Sequence, residues 1–384
     1  MIKKLIISLL ILLLLGGLAT GCALGDQPEG WSGMAMVDNA LFLGSMEGEL
    51  VAIDVSSHNR LWSDVTLETT STGTTFGCAS GSSAVAVYGT PALADGLVYV
   101  GGYNGKVYAH ASDSGALRWV YPREGNLGPI VGGPVVALGM VYAGSEDGKV
   151  YALDVDTGDK KWGFETGDKI WATPVIDGET LYIGFFDNKL YALDANTGKE
   201  KWAKPFEAAG PIASSPVVLN NTIYVGSFDR HLYAVNATSG EQIWQYPAKD
   251  EAGDKSGKWF WAKPVIYNNT VYAGNLDGKI YVINAKTGAE AVAPIDLQSP
   301  ISSSPVLADN LVVVATEEGK VYSLDTETSQ IKPLATFGEK INAPLLFSEV
   351  EVDPVVYVHG QEPETLYALN VKTGVTLWSL PLSK

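Results

Sequence analysis

The 384-residue sequence predicts an all-β fold, an eight-bladed propeller with four antiparallel strands per blade. Three observations predict it. A fourteen-residue segment recurs eight times without gaps, clearest in KVYALDVDTGDKKW (149–162), KLYALDANTGKEKW (189–202), HLYAVNATSGEQIW (231–244) and TLYALNVKTGVTLW (365–378). Weaker copies begin at Glu49, Lys106, Lys279 and Lys320. The copies return about every forty residues with two-residue alternation, where helical repeats would show a 3.6-residue period. A proline stands upstream of seven of the eight copies, at Pro91, Pro134, Pro174, Pro216, Pro264, Pro305 and Pro344, with Met34 in that place in the first.

Each element of the unit follows from its residues. Proline cannot donate to a β-ladder, so the strand it marks is an edge strand, the innermost of the blade. The residues just before it are small (Gly132-Gly133, Ala172-Thr173, Ser214-Ser215, Ser303-Ser304), because eight backbones converge at the axis. Next, VYAG and KVYALD flank Asp147-Gly148, read as a two-residue hairpin, with Glu47-Gly48, Asn104-Gly105, Asp187-Asn188, Asp277-Gly278 and Glu318-Gly319 as its equivalents. An Asp or Asn then follows, with Ala111 the exception, and its side chain caps turn amides; four residues on, Gly115, Gly158, Gly198, Gly240, Gly288 and Gly374 take positive φ. The outer strand ends at Trp62, Trp119, Trp162, Trp202, Trp244 and Trp378, replaced by Val292 and Pro333 in two blades. One indole buries ~150–250 Å² and anchors each sheet to its neighbour.

The propeller spans residues 34–384. Ahead of it, Lys3 and Lys4 precede an apolar run ending in Leu18-Ala19-Thr20-Gly21-Cys22. Residues 1–21 read as a lipoprotein signal peptide, Cys22 as the lipidated residue and 22–33 as a tether; an ordinary signal peptide or an uncleaved anchor is the alternative. All three readings put the folded part on the extracytoplasmic side of a membrane.

Composition narrows the function. The 26 basic and 43 acidic residues give −17, which argues against nucleic acid as a partner. Two cysteines make no disulfide scaffold, and the four histidines lie far apart. Neither a nucleophile motif nor a phosphate-binding loop occurs.

The YALDxxTGxxxW pattern resembles the pyrroloquinoline-quinone (PQQ) type propeller repeat. Two branches of that family bear on function. In quinoprotein alcohol dehydrogenases, PQQ and Ca²⁺ sit near the axis; in BamB-like lipoproteins, the ring is a non-catalytic adaptor in outer-membrane protein assembly. The lipobox and near-minimal blades resemble the second branch. The first implies an adjacent cysteine pair and converging carboxylates, and the inner strands offer only Asn342, read as a backbone-bonded channel amide. The acidic turn 154–159 reads as a strand connector. The expectation is therefore a monomeric scaffold for envelope or membrane proteins, with no catalysis, PQQ, Ca²⁺ or other metal. A quinoprotein dehydrogenase and a small-ligand sensor or carrier are the alternatives.

Departures from the repeat mark candidate binding surfaces. Residues 63–87, with Cys78, form a long connection, and 248–258 is a charged insertion. Three residues before the edge-strand position stand Trp31, Tyr88, Trp171 and Trp261, where other blades have Val131, Ala213, Ser302 and Ile341. These aromatics are expected at one rim of the channel, extended by Trp259 and Phe260, with Lys263 beside them. They suit a protein hot spot, a flat ligand or simple packing of the channel.

Overall fold

A computed structural model describes residues 30–67, 85–248, 257–348 and 354–382. The signal peptide, Cys22, most of the tether, Cys78 and the greater parts of the two insertions lie outside the described residues. Eight antiparallel sheets follow one another along the chain, with no helix among the described residues. Blade 3 is representative. Its strands Val135–Ala137, Met140–Gly144, Lys149–Asp154 and Lys160–Glu165 pair in sequence order. Blade 1 (34–66) and blade 8 (346–381) are each built from continuous chain, so no strand is borrowed to close the ring.

Alternation along the middle strands creates the core. In Lys149–Asp154, Val150 and Ala152 face blade 4 while Tyr151 and Leu153 face blade 2. Every blade thus has two apolar faces, and eight buried clusters fill the eight seams.

The outer strand explains the Ala in YALD. Ala109, Ala152, Ala234 and Ala368 lie directly across the ladder from Trp119, Trp162, Trp244 and Trp378, and the register slips just after each. The slip bends the outer strand and turns the indole toward the next blade.

Four expectations change. The hairpin at Asp147-Gly148 is a three-residue loop, 146–148: the Ser145 N–H donates to Lys149 O (3.0 Å), the Gly148 N–H to Ser145 O (3.2 Å), and Gly148 has φ +80°. A four-residue turn closed by a left-handed Gly matches the strand twist as well as a two-residue one does. The outer strand of blade 1 is split into Asn59–Arg60 and Val65–Thr66, which makes thirty-three strands rather than thirty-two. In blade 4 it shrinks to Phe206–Glu207 plus a bridge at Glu200, with Pro205 interrupting the ladder. In blade 8 the innermost strand begins at Leu346, two residues after Pro344, whereas Val135 directly follows Pro134. Pro344 therefore occupies the place of Thr173 and Ser215, and Asn342 rather than Ile341 is the true rim position.

Candidate functional site

The small residues at the axis do more than save space. The innermost strand of each blade presents N–H groups that no ladder satisfies. At three joints a hydroxyl from the following blade accepts one of them: Gly133 N–H to Thr173 Oγ1 (2.8 Å), Thr173 N–H to Ser215 Oγ (3.0 Å) and Lys263 N–H to Ser304 Oγ (3.1 Å). From this collar downward the channel holds a cavity of about 760 Å³, walled by Thr173, Ser215 and Ser304, by the prolines and by Val135, Val175, Val265 and Val306. Lys263 lines this cavity and not the aromatic rim where the sequence reading put it. Its side chain is exposed to the channel, yet the surrounding ring desolvates the ammonium and depresses its pKa. No carboxylate among the described residues pairs with it.

At the mouth, the four rim aromatics do converge. Trp31 meets Tyr88 edge-on with centroids 4.5 Å apart, and Trp171 meets Trp261 at 5.9 Å. The latter contact crosses blade 5, where Ala213 leaves room. With Tyr103, Val131 and Glu146 they enclose a cavity of about 160 Å³. Glu146 accepts the Trp171 indole N–H at 2.6 Å. The opposite side of the mouth is polar, with Ser302 Oγ donating to Asn342 Oδ1 (3.0 Å).

Phe260 does not extend this patch. It is buried at 1% exposure, in the seam position that Ile130, Ile170 and Ile212 hold elsewhere. The extension comes from Phe186 and Phe228, in the turns between second and third strands. Phe228 stacks on Trp259 (4.4 Å, 13°) and on Trp261 (5.6 Å, 22°), and Phe186 packs on Trp171 (4.6 Å). Trp259 stays 44% exposed beside a second cavity of about 660 Å³ lined by Phe228, Leu276, Pro300 and Glu317 among others. The cue missed in the sequence is the turn residue itself: Tyr103, Phe186 and Phe228 replace the Glu146 of the third blade.

The six predicted indole anchors sit at seams. Trp119, Trp162, Trp202 and Trp244 each donate Nε1–H at 2.9 Å to the carbonyl after the capping Asp or Asn of the next blade: Val155, Ala195, Ala237 and Ala285. Trp62 donates to Ser112 O at 3.1 Å. A second-strand tyrosine joins four of these carbonyls, as Tyr142 Oη does to Ala195 O (3.1 Å). The turn Gly is needed twice over: Gly198 has φ +71°, and a Cβ there would meet Trp162 at 2.5 Å. The acidic turn 154–159 is occupied by its own donors. Asp154 Oδ1 accepts from the amides of Asp156 and Thr157, and Lys161 lies 2.8 Å from Oδ2. The Lys161 contact, then the Thr157 amide, lower the carboxyl pKa to about 2. Among the described residues no three His, Cys, Asp or Glu side chains gather as a metal site, and no helix is long and apolar enough to cross a membrane.

This architecture recurs in solved structures. BamB from Moraxella catarrhalis superposes with a TM-score of 0.65 at 19% identity, over 91% of this chain and 93% of that one. The computationally designed Ika8 protein gives 0.69 at 18%, over 93% and 98%. The quinohemoprotein alcohol dehydrogenase of Comamonas testosteroni gives 0.63 at 16%, over 87% and 71%. Identities this low carry the fold and no function. No curated protein sequence matches the chain. A family profile does, at residues 47–184, 165–293 and 290–383, and the chain accordingly belongs to the family described as outer membrane protein assembly factor BamB.

Proposed function

We propose that this protein is a membrane-anchored, non-catalytic scaffold that binds other proteins at the cell envelope through the aromatic end of its ring. The observation that carries this is the Phe228–Trp259 stack, a half-buried ring under an exposed indole at the edge of an open cavity, on turns held by a rigid ring. Stacked aromatics beside a pocket are the usual energetic centre of a protein interface. The family name points to outer-membrane protein assembly, and we assign this chain the same kind of role. The anchor is Cys22, held on the extracytoplasmic side, and the ring acts as a monomer.

The donor set at the axis supports a role without PQQ or Ca²⁺. Calcium wants six to eight oxygens, several of them anionic. The central cavity instead offers Thr and Ser hydroxyls and one ammonium, Lys263, which repels a cation. Crosslinking and pull-down from the native membrane is the test. Recovery of an envelope assembly complex that is lost on Trp259→Ala supports the scaffold. A thermal shift with PQQ and Ca²⁺ accompanied by dye reduction would replace it with the dehydrogenase reading.

A further inference from the structure

We infer that the cavity at the channel mouth is a binding site for a methylated ammonium ion of choline type. Its walls are the rings of Trp31, Tyr88, Tyr103, Trp171 and Trp261, and its one carboxylate is Glu146. The π-faces of such rings attract cations, Trp most strongly, and boxes of them recognise quaternary ammonium groups. Three features of this box favour that chemistry. Edge-to-face contacts at 4.5, 5.3 and 5.9 Å fix the walls before a ligand arrives. Glu146 accepts the Trp171 N–H at 2.6 Å, which enriches that ring in electron density and places an anion at the cavity wall. One wall ring already takes an ammonium outside the cavity: Lys169 Nζ lies 4.4 Å from the Trp171 centroid and 4.7 Å from that of Phe186, and neither Lys169 nor Phe186 lines the box.

Size and polarity select within the cations. About 160 Å³ accommodates a trimethylammonium head with a short tail. A primary ammonium or a guanidinium needs several acceptors for its N–H groups, and the walls are chiefly aromatic faces. A quaternary head has no N–H to leave unpaired, so its desolvation costs less than theirs and is offset by the ring faces and the Glu146 carboxylate. The chain's charge of −17 draws cations toward the ring.

The test is titration of the full chain with choline and with tetramethylammonium, read by tryptophan fluorescence and calorimetry. The neutral isostere 3,3-dimethylbutan-1-ol is the control. Both cations bind and the alcohol binds about tenfold more weakly or not at all. Glu146→Gln, which keeps an acceptor for the indole N–H, weakens choline about five- to tenfold, and Trp171→Leu abolishes it; circular dichroism verifies that both variants fold. Equal binding of the alcohol, unchanged affinity in Glu146→Gln, or no signal at tens of millimolar choline would overturn the site. Phosphatidylcholine vesicles that displace choline identify a lipid headgroup as the source, and vesicles that do not identify a free solute. The site rests on the cavity alone, so its failure leaves the pull-down from membranes untouched.

Discussion

Seam 3–4 and seam 8–1 do the same job with different chemistry. At the first, Trp162 and Tyr142 both donate to Ala195 O, and the indole lies flat on Gly198. At the second, Trp378 occupies the same repeat position, but its buried Nε1 finds no acceptor among the described residues. His58 holds the place of the turn Gly and packs on the indole (4.9 Å, 35°). Polar groups take over. His359, fully buried, reaches Ser32 O through Nδ1 (3.0 Å) and Glu364 Oε1 through Nε2 (2.8 Å). The same Oε1 accepts the Met46 N–H at 2.8 Å, and Arg60 donates to Leu382 O at 3.2 Å. Seam 3–4 is also crossed by the chain, which tethers the two sheets covalently. Seam 8–1 has no such tether, and there the side chains alone must hold register.

The largest effect is expected at the untethered seam. Glu364→Ala strands His359 and the Met46 amide in a dry interface, and we predict a loss of about 5 kcal/mol in denaturant unfolding. Trp162→Ala opens a cavity at the tethered seam and costs about 4 kcal/mol. Gly198→Ala adds a ring clash to left-handed strain, for about 2–3 kcal/mol, whereas Gly178→Ala, with nothing within 4 Å, costs only the strain of about 1 kcal/mol. The finest discrimination is Trp→Phe. Trp162→Phe loses a hydrogen bond worth about 1 kcal/mol beyond its lost area, while Trp378→Phe loses none. Equal costs for the two would erase the distinction between the seams.

Acid tests the turns that support the indole clips. Hydrogen bonds to the carboxylates lower the pKa of Asp154, Asp194 and Asp325, in each case below the ordinary 3.8 and for Asp154 to about 2. A depressed folded pKa means that their contribution is complete above the unfolded value and disappears as pH falls through the folded one. Stability should therefore decline between about pH 4 and pH 2. Asp154→Asn should flatten that decline in a series of thermal melts, and an unaltered slope would show that the turns carry none of it.

The repeat made the ring legible, because eight copies of one pattern leave few folds that satisfy all of them. The rim aromatics were legible for the complementary reason: Trp171 and Trp261 break a pattern that is otherwise small. Phe186 and Phe228 were not, since a Phe beside a turn Asp reads as part of the hairpin until the sheet shows which way it faces. Phe260 misled because the neighbour of a rim position points into a seam, as strand alternation requires. Pro344 misled by a single residue, and that slip moved the rim from Asn342 to Ile341. Lys263 sits two residues from Trp261, a separation that along an inner strand lowers a side chain from the mouth into the channel. The sharing of one carbonyl between Trp162 and Tyr142 depends on two strands and a neighbouring blade, and no single segment records it.

Because each blade is one uninterrupted stretch of chain, the opening between blades 8 and 1 could in principle lie at any other joint. Joining the ends of the folded region and cutting at another inter-blade connection would yield a permuted ring with the same eight sheets. The His359–Glu364 latch would then bridge an interior joint, and the new opening would be guarded only by an indole and a tyrosine. The natural order puts its costliest polar chemistry at the one joint where the circle is otherwise free to spring open.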